Sequence, residues 1–317
     1  MKLVAIDAGG THVRFAIAEL ADGERPRLGP THRYRSSDYP DLPSVWRRFA
    51  ADAGEPLPPN AAIGVAAPIG ESVLRFVNSP WTIDTRSLPG TLGLDRLTLL
   101  NDFGAIAHAV PGLRDDELEH VHGPEGPLPQ QGVTSVIGPG TGLGVAMLIR
   151  RSGDYAVVET EGAHIGFAPC DAEEDALVRA LRSKHGRVSV ERIVSGPGLS
   201  ELAAALGKSD TSNSAALWEA ACSGTDPIAA QALDRFLLAF GSAAGDLALA
   251  HGSNAVVIAG ALANRILDRL RWSPFGDRFE AKGRYRRRME GIPVKVATHP
   301  DPGLLGAAIA FQREHLR

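Results

Sequence analysis

The chain has 317 residues, more than one hydrophobic core usually serves, so two domains are expected. Its 44% hydrophobic and 22% charged residues are the proportions of an ordinary soluble globule. A net charge of −4 gives no electrostatic case for nucleic acid or an anionic membrane, and the two cysteines, Cys170 and Cys222, make neither a disulfide framework nor a metal cluster.

At the start, Lys2 precedes only four apolar residues before Asp7, so no secretory signal is expected and a cytoplasmic location is. The apolar run 3–6 leads into Asp7-Ala-Gly-Gly-Thr-His-Val-Arg14, and a second run, 15–18, follows. Two such runs about a glycine- and threonine-rich tip predict a β-hairpin. Leu42, Val45, Trp46 and Phe49 fall at i, i+3, i+4 and i+7 behind Pro40-Asp41, which predicts a helix with one apolar face. Runs 62–67 and 97–100 read as strands with apolar residues on both faces, the pattern of parallel sheets flanked by helices. Asn101-Asp102 comes next, then a predicted helix at 103–110 closed by Pro111-Gly112. Residues 111–132 hold four Pro and four Gly and are the expected crossing between domains.

The second half restarts with a predicted hairpin at 135–149, tipped by Gly138-Pro-Gly-Thr-Gly-Leu-Gly144. Helices are predicted near 172–184, 199–206, 214–222, 226–250 and 263–270, and a strand at 255–259 runs into Gly260. His251, Ser253 and Asn254 interrupt the longest apolar candidate, so no membrane span is expected. The chain closes on a predicted helix with Asp301 as N-cap and Pro302 at its first position. The paired hairpins imply one duplicated α/β unit, with a cleft between the copies.

Glycine at a hairpin tip lets main-chain N–H groups turn outward toward an anion, and threonine adds a hydroxyl donor. Two such tips suit a nucleotide's polyphosphate. A Rossmann fingerprint fails because Leu143 stands where its third glycine is required, and Gly207-Lys208-Ser209 is no Walker loop because Leu202 replaces the first glycine. Asn101-Asp102 follows a strand directly, where open α/β sheets bind ligands, although either residue also suits a helix cap. Glu161-Gly-Ala-His164 and Glu191, close to Ser195-Gly-Pro-Gly198, read as buried or half-buried groups suited to hydroxyl recognition. Taken alone, His164 is more often a structural histidine and Glu191 a helix-surface charge, and Glu161 and His164 lack the spacing of a zinc site.

In order along nearly the whole chain stand Asp7-x-Gly-Gly-Thr11-x-x-Arg14, Ala66-Ala-Pro-Ile-Gly70, Asn78 with Trp81, and Leu100-Asn-Asp-Phe103. After them come the 138–144 turn, Glu161-Gly-x-His164-x-x-Phe-Ala-Pro169, Glu191-Arg-x-x-Ser-Gly-Pro-Gly-Leu199, Phe279-Glu-x-Lys-Gly-Arg284 and Pro302-Gly-Leu-Leu-Gly306. With these motifs the chain resembles bacterial ATP-dependent glucokinases of the hexokinase, actin and heat-shock-chaperone ATPase superfamily. The resemblance implies a two-lobed ribonuclease-H-like (actin-like ATPase) α/β fold, each lobe a mixed sheet flanked by helices, with the active site in the interdomain cleft. Residues 1–110 with 300–317 would form a small domain and 111–299 a large one, hinged near 108–112 and 298–303. Gly303 and Gly306 would permit close helix packing there.

By the same resemblance, Asp102 is the general base for the 6-hydroxyl of glucose, and Asn101, Glu161, His164 and Glu191 hold the other hydroxyls. Gly9, Gly10, Thr11, Gly138, Gly140, Thr141 and Gly142 would hold ATP phosphates, Gly260 would face the adenosine, and Asp7 would act on Mg²⁺ through water. A homodimer is expected. Two departures stand out. Gly260-Ala261 replaces a pair of adjacent glycines, and 284–288 reads Arg-Tyr-Arg-Arg-Arg, either a solvated face or a site for a polyphosphate donor. A kinase of another hexose or of N-acetylglucosamine, a phosphohydrolase acting on polyphosphate, and a regulator without catalysis stay open as alternatives.

Overall fold

A computed structural model describes residues 1–67, 69–76 and 81–316; Pro68 and Asn78 of the quoted motifs lie outside the described residues. The chain forms two compact units, Met1–Arg114 with His299–Arg317, and Asp115–Thr298. In the first, the strands are β1 (Lys2–Ala8), β2 (His12–Glu19), β3 (Arg27–Leu28), β4 (His32–Arg35), β5 (Asn60–Val65), β6 (Val73–Arg75), β7 (Thr82–Asp84) and β8 (Arg96–Asn101). The main sheet runs β3-β2-β1-β5-β8, with β4 also on β2 and β6-β7 forming a separate ribbon. β1 and β2 make the expected antiparallel hairpin, while β1, β5 and β8 are parallel.

Side chains alternate across β1, so the two faces acquire different helices. Val4 and Ile6 pack with Phe15, Val45 and Phe49 of helix Leu42–Asp52, where Phe15 and Phe49 stack at 4.8 Å. That helix starts as the sequence indicates: Ser44 N–H donates to Asp41 Oδ1 at 2.8 Å. Leu3 and Ala5 pack instead with Leu304, Ala307, Ala308 and Phe311 of helix Pro302–His315. Gly306 lies directly on the Ala105 carbonyl of helix Asp102–Ala109, a backbone-to-backbone approach that leaves no room for a Cβ.

Two expectations for this unit need correction. β8 is an edge strand with Leu100 and Thr98 buried but Leu97 and Leu99 only partly so, because no strand covers its outer side. Buried Thr98 pairs with helix Pro302–His315, donating to Glu314 Oε2 at 2.6 Å. Asp301 occupies the N-cap position of helix Pro302–His315, yet its side chain caps nothing and accepts from Thr31 Oγ1 at 2.8 Å.

Burial, with the charge of Arg313 beside it, pushes His108 down to about 4. A histidine kept neutral in the folded state stabilises fully above its unfolded value of 6.5, and that stability is lost as pH falls toward 4. Between pH 7 and pH 5 the loss should be about 2 kcal/mol. Urea unfolding at both values, compared with His108→Asn, measures it; an equal loss in the variant would remove the assignment.

In the second unit the strands are β9 (Leu118–His122), β10 (Gly132–Pro139), β11 (Leu143–Arg151), β12 (Asp154–Thr160), β13 (Ala255–Ile258) and β14 (Val294–Ala297), in the order β12-β11-β10-β13-β14-β9. β10 and β11 form the expected hairpin, and β10, β13 and β14 are parallel. The stretch 111–132 is not only connection: β9 lies within it and pairs antiparallel with β14. The helix expected at 263–270 is two short ones, Ala261–Arg265 and Leu267–Arg271. Helix Pro227–His251 is the spine of this unit's core, with Phe236 and Phe240 fully buried. Helix Phe275–Glu280 lies on it so closely that its main chain approaches Gly241 and Gly245. Lys282 secures the contact, donating to Ser242 O at 2.9 Å and pairing with Asp246 at 2.8 Å. Among the described residues no helix is long and apolar enough to cross a membrane.

Candidate active site

In the first unit the carboxyl ends of β1 and β8 carry Asp7 and Asn101-Asp102, with β5 between them. In the paired register Asp7 is level with Gly64 and Leu100, so Asn101 and Asp102 lie one and two residues further along, beyond the intervening strand β5. Asn101 is the N-cap of helix Asp102–Ala109: its Oδ1 accepts from Phe103 N at 2.9 Å and Gly104 N at 3.3 Å, and its Nδ2 donates to Ala67 O at 3.3 Å. The cap is therefore Asn101, and Asp102 is the first residue of the helix, its Oδ1 also accepting from Phe103 N at 2.9 Å. Asn101 thus fills the N-cap position, and Asp102 is not needed there.

Asp7 faces Arg14 across the hairpin register, and Arg14 Nη1 donates to Asp7 Oδ2 at 3.0 Å. Arg14 also lies 3.9 Å from Asp301. Burial raises the Asp7 carboxyl above the usual carboxylate value, and the charge and hydrogen bond of Arg14 oppose the shift. Gly303 makes room for this carboxylate: a Cβ there would lie 3.0 Å from Asp7 Cγ and Oδ2. At the hairpin tip, Thr11 is exposed and Gly9 and Gly10 are half-buried. Gly9 N–H does not turn outward as expected but donates to His12 O at 3.0 Å, while Ser36 braces the turn through Gly9 O at 3.1 Å and Thr11 O at 3.0 Å.

The second unit gathers its expected residues at one end of its sheet. Gly138, Gly140, Thr141 and Gly142 form the tip between β10 and β11. Gly260 follows β13, which pairs with β10 in the register Ile137↔Ile258, and it precedes helix Ala261–Arg265 with φ +107°. Glu161 follows β12, whose Thr160 pairs with Val145 of β11. Gly140 N–H also stays within its turn, donating to Gly142 O at 2.7 Å, whereas Thr141 is exposed.

Glu161 and His164 correct an expectation of burial. Their side chains are 64% and 56% exposed, and His164 Nε2 lies 3.6 Å from Glu161 Oε2. They stand on a short turn, with His164 N–H donating to Glu161 O at 3.0 Å. Glu191, on the one-turn helix Val190–Ile193, is half-buried, and its Oε2 accepts from Leu143 N at 3.0 Å, beside the glycine tip. Ser195 caps helix Gly196–Ala205, and Gly196 N donates to Gly140 O at 2.7 Å. Among the described residues no group of three or more His, Cys, Asp or Glu could form a metal cage.

Arg14 and Asp301 stand beside Asp7 without having been expected as site residues. Arg14 was legible: in a hairpin that pairs Ile6 with Phe15, position 14 must face Asp7. Asp301 carried no such signal, because Asp before Pro at a helix start reads as a cap. Trp81, by contrast, is a packing residue, 2% exposed and donating to Tyr39 O at 2.9 Å.

Two mixed sheets flanked by helices, each ending in a glycine–threonine hairpin, define the actin-like ATPase fold class. The chain belongs to the glucokinase family, whose model matches residues 3–314, and it is an enzyme of that family. It is 46% identical over 320 residues to the glucokinase of Zymomonas mobilis, covering 99% of each chain. The structure superposes on a glucokinase from an Antarctic psychrotroph with TM-score 0.84 at 30% identity, covering 98% of this chain and 99% of that one. A ROK family glucokinase from Streptomyces griseus, solved with glucose and AMPPNP, shares the fold at TM-score 0.65 and 20% identity, covering 97% and 98%.

Proposed function

We propose that the protein transfers the γ-phosphoryl group of ATP to the 6-hydroxyl of D-glucose, with Asp102 as general base. Family membership along the full length carries the activity. The observation that supports the base is the capping of helix Asp102–Ala109 by Asn101, which leaves Asp102 a helix-start carboxylate not required as the N-cap. Phosphoryl transfer asks mostly for alignment and charge neutralisation, so a base, a phosphate cradle and a sugar clamp are the parts required.

In this reading the Asp102 carboxylate accepts the proton of the 6-hydroxyl as that oxygen attacks the γ-phosphorus. Asn101, Glu161, His164 and Glu191 hold the remaining hydroxyls, and Thr11 with the 138–144 turn holds the phosphates. Asp7, paired with Arg14 and with no cage of three or more ligating side chains among the described residues, fits Mg²⁺, which keeps most of its waters and takes one or two carboxylates besides substrate phosphates. Bound there, the ion would neutralise phosphate charge. Arg14 holds the Asp7 carboxylate in place for that role.

Glu161 and His164, with more than half of each side chain exposed, can meet sugar hydroxyls, which sharpens rejection of sugars lacking one. His164→Ala should therefore raise the glucose KM by about tenfold, the loss of roughly one hydrogen bond to a polar partner, with ATP affinity little altered. Steady-state kinetics in both substrates checks it, and an unchanged glucose KM would return His164 to a structural role. The activity itself is tested by a panel of hexoses and N-acetylglucosamine, with ATP and polyphosphate as donors, in a coupled assay. Glucose with ATP should be the best pair; another sugar or donor turning over faster would overturn the assignment.

A further inference from the structure

The half-buried Glu191 carboxylate meets the glycine-rich turn rather than open solvent. Its Oε2 accepts from Leu143 N at 3.0 Å, and it occupies the space that a side chain at residue 142 would need: a methyl on Gly142 would overlap Glu191 Oε2. The same segment grips the turn a second time, through Gly196 N to Gly140 O at 2.7 Å, while Trp218 Nε1 donates to Gly196 O at 3.1 Å and anchors the segment to helix Ser214–Ser223. A carboxylate offers about four lone-pair sites, so the bond to Leu143 leaves Glu191 able to accept from another donor at the same time.

We propose that Glu191 is a positioning residue that braces the 138–144 phosphate turn from the sugar side, so that sugar occupancy and the shape of the phosphate cradle are mechanically linked through Leu143 and Gly142. The inference rests on the reading of Glu191 as a sugar ligand given above, and adds the brace to it. Gly142 then has a role distinct from phosphate contact: it is small because Glu191 must fit beside it. The displaced atom would be the end of a flexible side chain, so Gly142→Ala moves the carboxylate rather than breaking the fold.

The test separates the brace from the sugar assignment. Hydrogen exchange at the Leu143 amide, measured with no ligand, should be at least about tenfold faster in Glu191→Ala, as expected for one lost hydrogen bond. It should be near normal in Glu191→Gln, whose amide oxygen can still accept. Glucose affinity, measured by calorimetry without nucleotide, should fall about tenfold in Gly142→Ala, and adding Gly142→Ala to Glu191→Ala should cost nothing more. Unaltered Leu143 exchange in Glu191→Ala sinks the brace. Normal glucose affinity in Gly142→Ala, with affinity lost in Glu191→Ala, sinks the link. Normal glucose affinity in Glu191→Ala removes the sugar assignment and the link with it, while the exchange rate at Leu143 still reports the brace.

Discussion

Asp102→Ala is expected to lower kcat by about 10²–10⁴-fold, the usual worth of a positioned general base, and to leave ATP binding intact. The separation between effects follows from the local structure. Asn101 Oδ1 satisfies the amides of Phe103 and Gly104, so the helix keeps its cap when Asp102 is shortened. Asp7 and the 138–144 turn belong to other strands, so the proposed nucleotide contacts are untouched. Truncation of Asn101 should instead cost about 1 kcal/mol of stability through the lost cap, along with weaker glucose binding. A coupled assay with saturating glucose, alongside a melting curve, distinguishes the two. An unchanged kcat in Asp102→Ala would eliminate it as the base.

Gly306→Ala should be strongly destabilising. At an exposed mid-helix position the same change stabilises by about 1 kcal/mol, because alanine is the better helix former. Here helix Pro302–His315 crosses helix Asp102–Ala109 with Gly306 on the carbonyl of Ala105, and the colliding atoms are main chain that cannot rotate away. Overpacking of this kind costs about 3 kcal/mol or more, enough to reverse the sign of the propensity effect. Urea unfolding of the variant measures it; a change below about 1 kcal/mol would mean that the two helices separate freely. Asp102 starts one of these helices, so partial separation would also lower activity without any change in the chemistry.

Both hairpins and the long helices were legible because each is specified locally. Apolar runs on either side of a glycine–threonine tip can pair only one way, and helix Leu42–Asp52 announces its start by Asp41 and its face by Leu42, Val45, Trp46 and Phe49. β9 and β14 were not legible. Leu118-Glu-His-Val-His122 has little apolar alternation, and β14 carries Lys295, 6% exposed, in its middle. Each becomes a strand by pairing with a neighbour distant in sequence, information that no local window contains. At the site, residue types were readable and their environments were not. Glu161 and His164 stand in solvent, and Glu191 turns toward Leu143, because four-residue turns are set by the packing beneath them. Asp301 shows the limit best: its cap signature is sound, but Thr31 and Arg14 compete for the carboxylate and win.

Helix Pro302–His315 covers the sheet face formed by Leu3, Ala5, Ala16, Ala18 and Ala62, residues synthesised long before that helix. At about 5–20 residues per second, tens of seconds pass before Leu304 and Phe311 are synthesised to meet them. The unit whose strands are made first is thus completed last. Until then this apolar face stays uncovered, the kind of transient exposure that favours aggregation.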